Sequence, residues 1–322
     1  MSTTSAFPSP SELWRRAWSL SPVLAVSTVL MLIGAVCTSA GLVLDSRLLV
    51  GEPIWLKPTK FYASLGIYDV TILYLLSFLS ERSRFVRVAG TLVGLGGVIE
   101  MVAITLQAAR GVRSHFNVAT PFDQAIFITM GVTILVVWVT MMVLAAMLVR
   151  AKLKELPLAS ALRMGLVVGV VGAGLGFFMS SPRAEQIAAM KAGQKPMESG
   201  SHTFGAKDGG PGLPLVGWSA VAGDMRPAHF LGLHGMQVLP LLAGLLARRR
   251  GRSEALRLAL VRASGAAYLG LTVALAIQAL RGLPIIHWDA TGAATLVLVA
   301  LASLVTFAAS LARRRELAIA AA

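Results

Sequence analysis

Seven residues set the chemistry open to this chain of 322: His115, His202, His229, His234 and His287, together with Asp69 and Glu100 inside long apolar runs. Imidazoles transfer protons near neutral pH and ligate zinc, iron or copper. One or two also suffice as axial ligands of a haem. A carboxylate surrounded by apolar sequence is costly, and its default reading is functional. Glu100, Ala103, Gln107 and Arg110 follow 3-4-3 spacing, which places Glu, Gln and Arg on one helical face. His229 and His234 lie about 140° apart around a helix, so a metal held there needs further ligands from other segments. The sequence has no His-Glu-x-x-His, and its single cysteine, Cys37, excludes a disulfide framework and a cysteine-based zinc or iron–sulfur site.

Two motifs occur twice. Lys57-Pro58-Thr59-Lys60-Phe61 is matched by Arg226-Pro227-Ala228-His229-Phe230 at an offset of 169 residues. Gln107-Ala108-Ala109-Arg110-Gly111 is matched by Gln278-Ala279-Leu280-Arg281-Gly282 at an offset of 171. A histidine, an aromatic residue and a polar residue follow each: His115-Phe116-Asn117 and His287-Trp288-Asp289, offset 172. The bland reading is helix punctuation. Proline opens a helix without losing a hydrogen bond, a basic last turn and a glycine end one, and Lys57 and Arg226 can snorkel to headgroup phosphates. The competing reading is a shared site at the interface of two repeats.

The elements that must position these residues follow from composition. Hydrophobic residues make up 56% of the chain and charged residues 14%, against about a quarter charged in an ordinary globular protein. The mean hydropathy is +0.74. Eight apolar stretches, near 23–44, 61–79, 88–109, 124–149, 158–180, 228–247, 258–280 and 291–312, are each long enough to cross a bilayer. The expected fold class is an all-α integral membrane protein of about eight transmembrane helices in two parallel four-helix repeats. Residues 1–22 form an interfacial segment, with Ser11 capping a helix that carries Trp14 and Trp18. Residues 23–155 form the first repeat, 156–316 the second with a long external loop at 181–226, and 317–322 a tail.

The net charge of +14 is a topology signal and not a nucleic-acid footprint, because the basic residues punctuate the apolar runs. Sixteen of the 29 Lys and Arg fall on one side, in clusters such as Arg82-Arg84-Arg87 and Arg248-Arg249-Arg250. Both termini are therefore expected in the cytoplasm, the host membrane being the plasma (inner) membrane. The first apolar run continues through Leu44 without a clean small-x-small site, so it is read as a retained span. Gly90/Gly94, Gly165/Gly169 and Gly172/Gly176 read as helix-packing pairs. His202 reads as a solvated loop histidine.

All five histidines then lie on the outer side, with Asp69 and Glu100 near mid-membrane. The catalytic candidates are Glu100, His229, His234 and Asp224. The cofactor-binding candidates are His115, His287, Gln107, Gln278, Arg110 and Arg281, and the metal candidates are His229, His234, His115 and His287. A metal ion or a haem is the cofactor class that these residue types would suit. Three function classes fit: a metal- or haem-dependent membrane enzyme acting on a small molecule, a proton-coupled small-molecule transporter, and a non-catalytic assembly or sensor protein. The bilayer is the expected partner, and nucleic acid is not.

Overall fold

Local sequence signals account for where the helices begin and end. In a computed structural model, which describes residues 9–249 and 251–320, Pro10–Leu20 form α1. Its start is a capping box: Glu12 N donates to Ser9 Oγ (3.3 Å) and Ser9 N donates to Glu12 Oε2 (2.8 Å). The cap is thus Ser9 rather than Ser11, because the residue before Pro10 is the one whose side chain reaches the third helical amide. The next helix, α2 (Pro22–Leu44), follows at once, capped by Ser21. A short hairpin, β1 (Leu48–Leu49) with β2 (Glu52–Pro53), leads to α3 (Leu56–Ser77) and α4 (Ser83–Ala109). Then come α5 (Pro121–Arg150), α6 (Leu156–Ser180), the short α7 (Ala184–Lys191) and a two-stranded ladder of β3 (Thr203–Phe204) with β4 (Gly223–Asp224). The last three helices are α8 (Arg226–Arg248), α9 (Glu254–Leu280) and α10 (Ala290–Ala320). Arg250 and tail residues 321–322 lie outside the described residues, as do the side chains of Arg314 and Arg315.

Among the described residues, seven helices are long and apolar enough to cross a bilayer: α2, α4, α5, α8, α9, α10 and the run that contains α6. The chain is a multi-pass helical membrane protein in contact with lipid. Side chains such as Val297 and Leu304 on α10 are exposed, as hydrocarbon-facing residues must be. The eighth expected span corresponds to α3. It has the right length, 22 residues, but Lys57, Lys60 and Asp69 interrupt its apolar run, and it is not among those seven.

The chain divides into two units, one built from residues up to 114 with 125–147, the other from 115–124 with residues 148 onward. In the first, α2, α3 and α4 pack against one another, and Met31, Met101, Ile104 and Met130 form a core cluster. In the second, α6, α8 and α9 pack mutually and α10 lies on α9. The paired glycines sit at helix contacts. A Cβ added to Gly94 would meet the Leu24 backbone at 3.0 Å, and one on Gly232 would meet Gly172 Cα at 2.4 Å. Small residues here let backbones touch, which is how helices associate where no hydrophobic force separates lipid from leucine.

A candidate site in the second unit

The segment between α6 and α8 is folded. Gln186 on α7 clamps Gly200, accepting from its amide (2.9 Å) and donating to its carbonyl (3.1 Å). Residues 116–118 pair with 197–199 through Ser199 N to Phe116 O (2.8 Å) and Val118 N to Met197 O (3.0 Å). The ladder of β3 with β4 closes the segment onto the start of α8.

At its centre stands Asp208. It accepts hydrogen bonds from Ser201 Oγ (2.8 Å), Thr203 Oγ1 (2.9 Å) and the amides of His202 and Thr203 (3.1 Å each). Its other oxygen lies 2.8 Å from His202 Nδ1. Burial alone would push this carboxyl up, but the bonds from His202 and Ser201 hold it well below the usual carboxylate range. The His202 ring also stacks edge-on against the buried Phe116, with centroids 4.9 Å apart. His202 is therefore a pinned, three-quarters-buried imidazole (side chain 26% exposed), which corrects its reading as a solvated loop histidine. Its sequence context, Ser201-His202-Thr203 followed by Asp208, looks like any polar loop, so no pattern announced it.

His229 on α8 is a second anchored imidazole in the same unit. Its Nδ1 is 2.7 Å from the Gly172 carbonyl on α6, and a carbonyl only accepts, so Nδ1 carries the hydrogen. In the neutral ring the lone pair is then on Nε2. Gly176 makes room for the ring, since a Cβ there would stand 3.1 Å from His229 Cε1. Gly172 and Gly176 thus form both a packing surface and a cradle for imidazole.

The other expected residues have defined surroundings. All five histidines belong to the second unit, and Glu100 to the first. His234 stacks on Phe230 (centroids 4.3 Å) and bonds Gln237 on the same helix. His115 is half-buried beside Phe116. His287 is exposed, and its backbone carbonyl accepts from the buried Gln278 side chain. Gln278 also reaches the Pro284 carbonyl (3.4 Å), so it clamps the loop after α9. Gln107 bonds Arg110 at the end of α4. Both helices stop with the same geometry: Gly111 (φ 75°) and Gly282 (φ 76°) are left-handed, and Val112 N and Leu283 N close back on the Gln107 and Gln278 carbonyls (3.0 and 3.2 Å).

Arg281 pairs with Asp289 (2.5 Å), whose carboxylate also caps α10 through Gly292 N (2.9 Å). These partners hold the Asp289 carboxyl below its usual range, the Arg281 bond first. Asp224 is taken up by Arg226, which donates from Nε (3.0 Å) and from its terminal nitrogen (2.6 Å), and by the Ser219 amide (2.8 Å). That carboxylate fastens the folded segment to α8. Among the described residues, no three His, Cys, Asp or Glu side chains gather as a group that could hold a metal ion.

No protein-family model, curated protein or solved structure matches this chain. The His202–Asp208 and His229–Gly172 pairs give it two anchored imidazoles. In each, one ring nitrogen is fixed by an acceptor, which sets the tautomer and the direction of the other nitrogen.

Proposed function

We propose that this chain is a membrane enzyme whose extracytoplasmic site uses the paired imidazoles of His202 and His229 to move protons on a small-molecule substrate. The observation that carries this reading is the double anchoring: Asp208 orients His202 at 2.8 Å and Gly172 orients His229 at 2.7 Å. An imidazole held by a carboxylate is stabilised when it takes up a proton, as a general base must be. Its neighbour, held by a neutral carbonyl, is the partner better suited to stay uncharged. The topology proposed with it has eight spans, both termini in the cytoplasm and the segment between α6 and α8 outside, in the plasma membrane. Two parallel four-helix repeats are part of the same reading. They are supported by helix starts: α8, α9 and α10 begin 170, 171 and 169 residues after α3, α4 and α5.

One observation favours a cofactor-bearing version. Donation from Nδ1 to a backbone carbonyl is the arrangement that orients histidines ligating metal or haem through Nε2. Metal analysis and an optical spectrum of the detergent-purified protein test that version, a Soret band or stoichiometric metal being lost in H229A. Turnover assays on membrane-derived metabolite extracts test the proton-transfer version. Conversion should fall at least a hundredfold in H202Q and in H229Q, the scale of general acid–base catalysis, with membrane insertion intact. Conversion unchanged in both variants would refute it.

A further inference from the structure

The first unit holds a second set of groups that the imidazole pair does not use. Asp69 on α3 and Glu100 on α4 are essentially inaccessible, at 0% and 2% exposure. Ser27 on α2 donates to Asp69 Oδ2 at 2.7 Å. The other oxygen, Asp69 Oδ1, has no hydrogen-bond partner, and neither has Glu100 Oε1. Asp69 Oδ1 is aimed at Gly97 on α4, 4.0 Å from where a Cβ would stand, and Ser27 Oγ lies 3.6 Å from the same point. Glu100 is one helical turn further along α4 from Gly97, towards the end where Arg110 caps the helix. Three helices that pack mutually thus bury a carboxyl–hydroxyl pair and, about one turn further along α4, a second carboxyl, each carboxyl keeping an unused oxygen.

We infer that Ser27, Asp69 and Glu100 form a proton-binding site inside the first unit. A pair of ionised carboxylates at this depth would need donors for every oxygen, and those donors are not there. A proton on either carboxyl removes its charge and turns its orphan oxygen into a hydroxyl. The charged and titratable groups facing the pair lie towards one end of the unit. Lys57 at the start of α3 acts on Glu100 electrostatically, and Lys60, Gln107 and Arg110 follow on α3 and α4. Tyr68 on α3 is turned to Met141 on α5 (3.8 Å). The helix α2 contributes no ionisable group besides the exposed Cys37, and α5 none between Asp123 and Arg150.

Infrared difference spectroscopy against pH, on the full chain in lipid nanodiscs, tests this site. The expected result is a carbonyl band of a protonated carboxylic acid at pH 7 that titrates away at alkaline pH. It should be lost or reduced in D69N and in E100Q, and shifted in S27A, whose Asp69 keeps its charge options but loses its hydroxyl donor. Absence of the band in the wild-type protein would overturn the inference, since both carboxyls would then be ionised. Displacement of the band by sodium at constant pH would also overturn it, in favour of a metal-cation site. Should D69N or E100Q fail to fold, the wild-type titration and S27A still decide.

Discussion

The carboxylate of Asp208 holds the His202 ring at 2.8 Å and, through its other oxygen, the amides of His202 and Thr203 at 3.1 Å. One side chain therefore fixes both the orientation of an imidazole and the backbone that carries it. Its carboxyl sits below its usual range when folded. The stability it contributes is thus fully present above the unfolded value, about 4, and lost as pH falls through and below it.

The protection factors of the amides of residues 201–203, that is, exchange corrected for its intrinsic pH dependence, should accordingly be nearly constant from about pH 8 to about pH 5 and fall only below that. D208N should raise the exchange of these amides about tenfold at pH 7, the scale of a lost charge-assisted hydrogen bond. Hydrogen exchange with mass spectrometry measures both. Equal exchange in wild type and variant would mean that Asp208 does not organise the segment.

The Gly172–Gly232 crossing leaves no space for a methyl group. G232A should lower the thermal stability of the detergent-solubilised protein, by about 1–3 kcal/mol on the usual scale of overpacking. Gly244, on the same helix with nothing within 4 Å of its Cβ position, supplies the control. G244A should be neutral or slightly stabilising, because alanine prefers the helix more.

Topology is open to direct measurement. Reporter fusions after residues 83, 152 and 251 should read cytoplasmic, and fusions after 113, 200 and 286 external. An external signal at 251 would remove the proposed orientation of the second unit. The same signal from a fusion after residue 50, ahead of α3, and from the one after residue 83 would show that this helix, with Lys57, Lys60 and Asp69 in it, does not span.

The first helix makes its own prediction. Trp14 and Trp18 (ring centroids 5.5 Å apart) line an open cavity of about 320 Å³ with Arg15 and Ser19. Aromatic rings beside a basic residue belong at the headgroup level. Lipids brominated near the headgroup should quench part of the tryptophan fluorescence, and W14F/W18F should remove that part. Equal fractional quenching in the double variant would place α1 away from the interface.

Much of the helical framework was legible because its signals are local. Apolar run length marked the spans, and Gly111 and Gly282 marked where α4 and α9 end. The glycine pairs pointed to helix contacts, since nothing but close packing needs a small residue every fourth position. The candidate site was less legible, because its key contacts join distant residues. His229 meets Gly172 across 57 positions, and the Gly172–Gly176 pair had been legible only as a packing stripe. Asp208 and His202 sit six residues apart in polar sequence, where spacing alone carries no directional information. Gln278, Arg281 and Asp224 carry the residue types of ligand groups, and each also bonds a neighbouring loop or helix-start group. Ion pairs and amide clamps use the same residue types as binding sites, so composition does not separate them.

The tight crossing of α6 and α8 has one more consequence. His229 is a single turn from Gly232, and its bond to Gly172 spans the same gap at 2.7 Å. Opening the crossing by about one ångström would carry that bond past hydrogen-bonding distance and release the ring. Lateral pressure in the surrounding bilayer therefore bears on the tautomer of one imidazole, and the lipid becomes part of what sets its basicity.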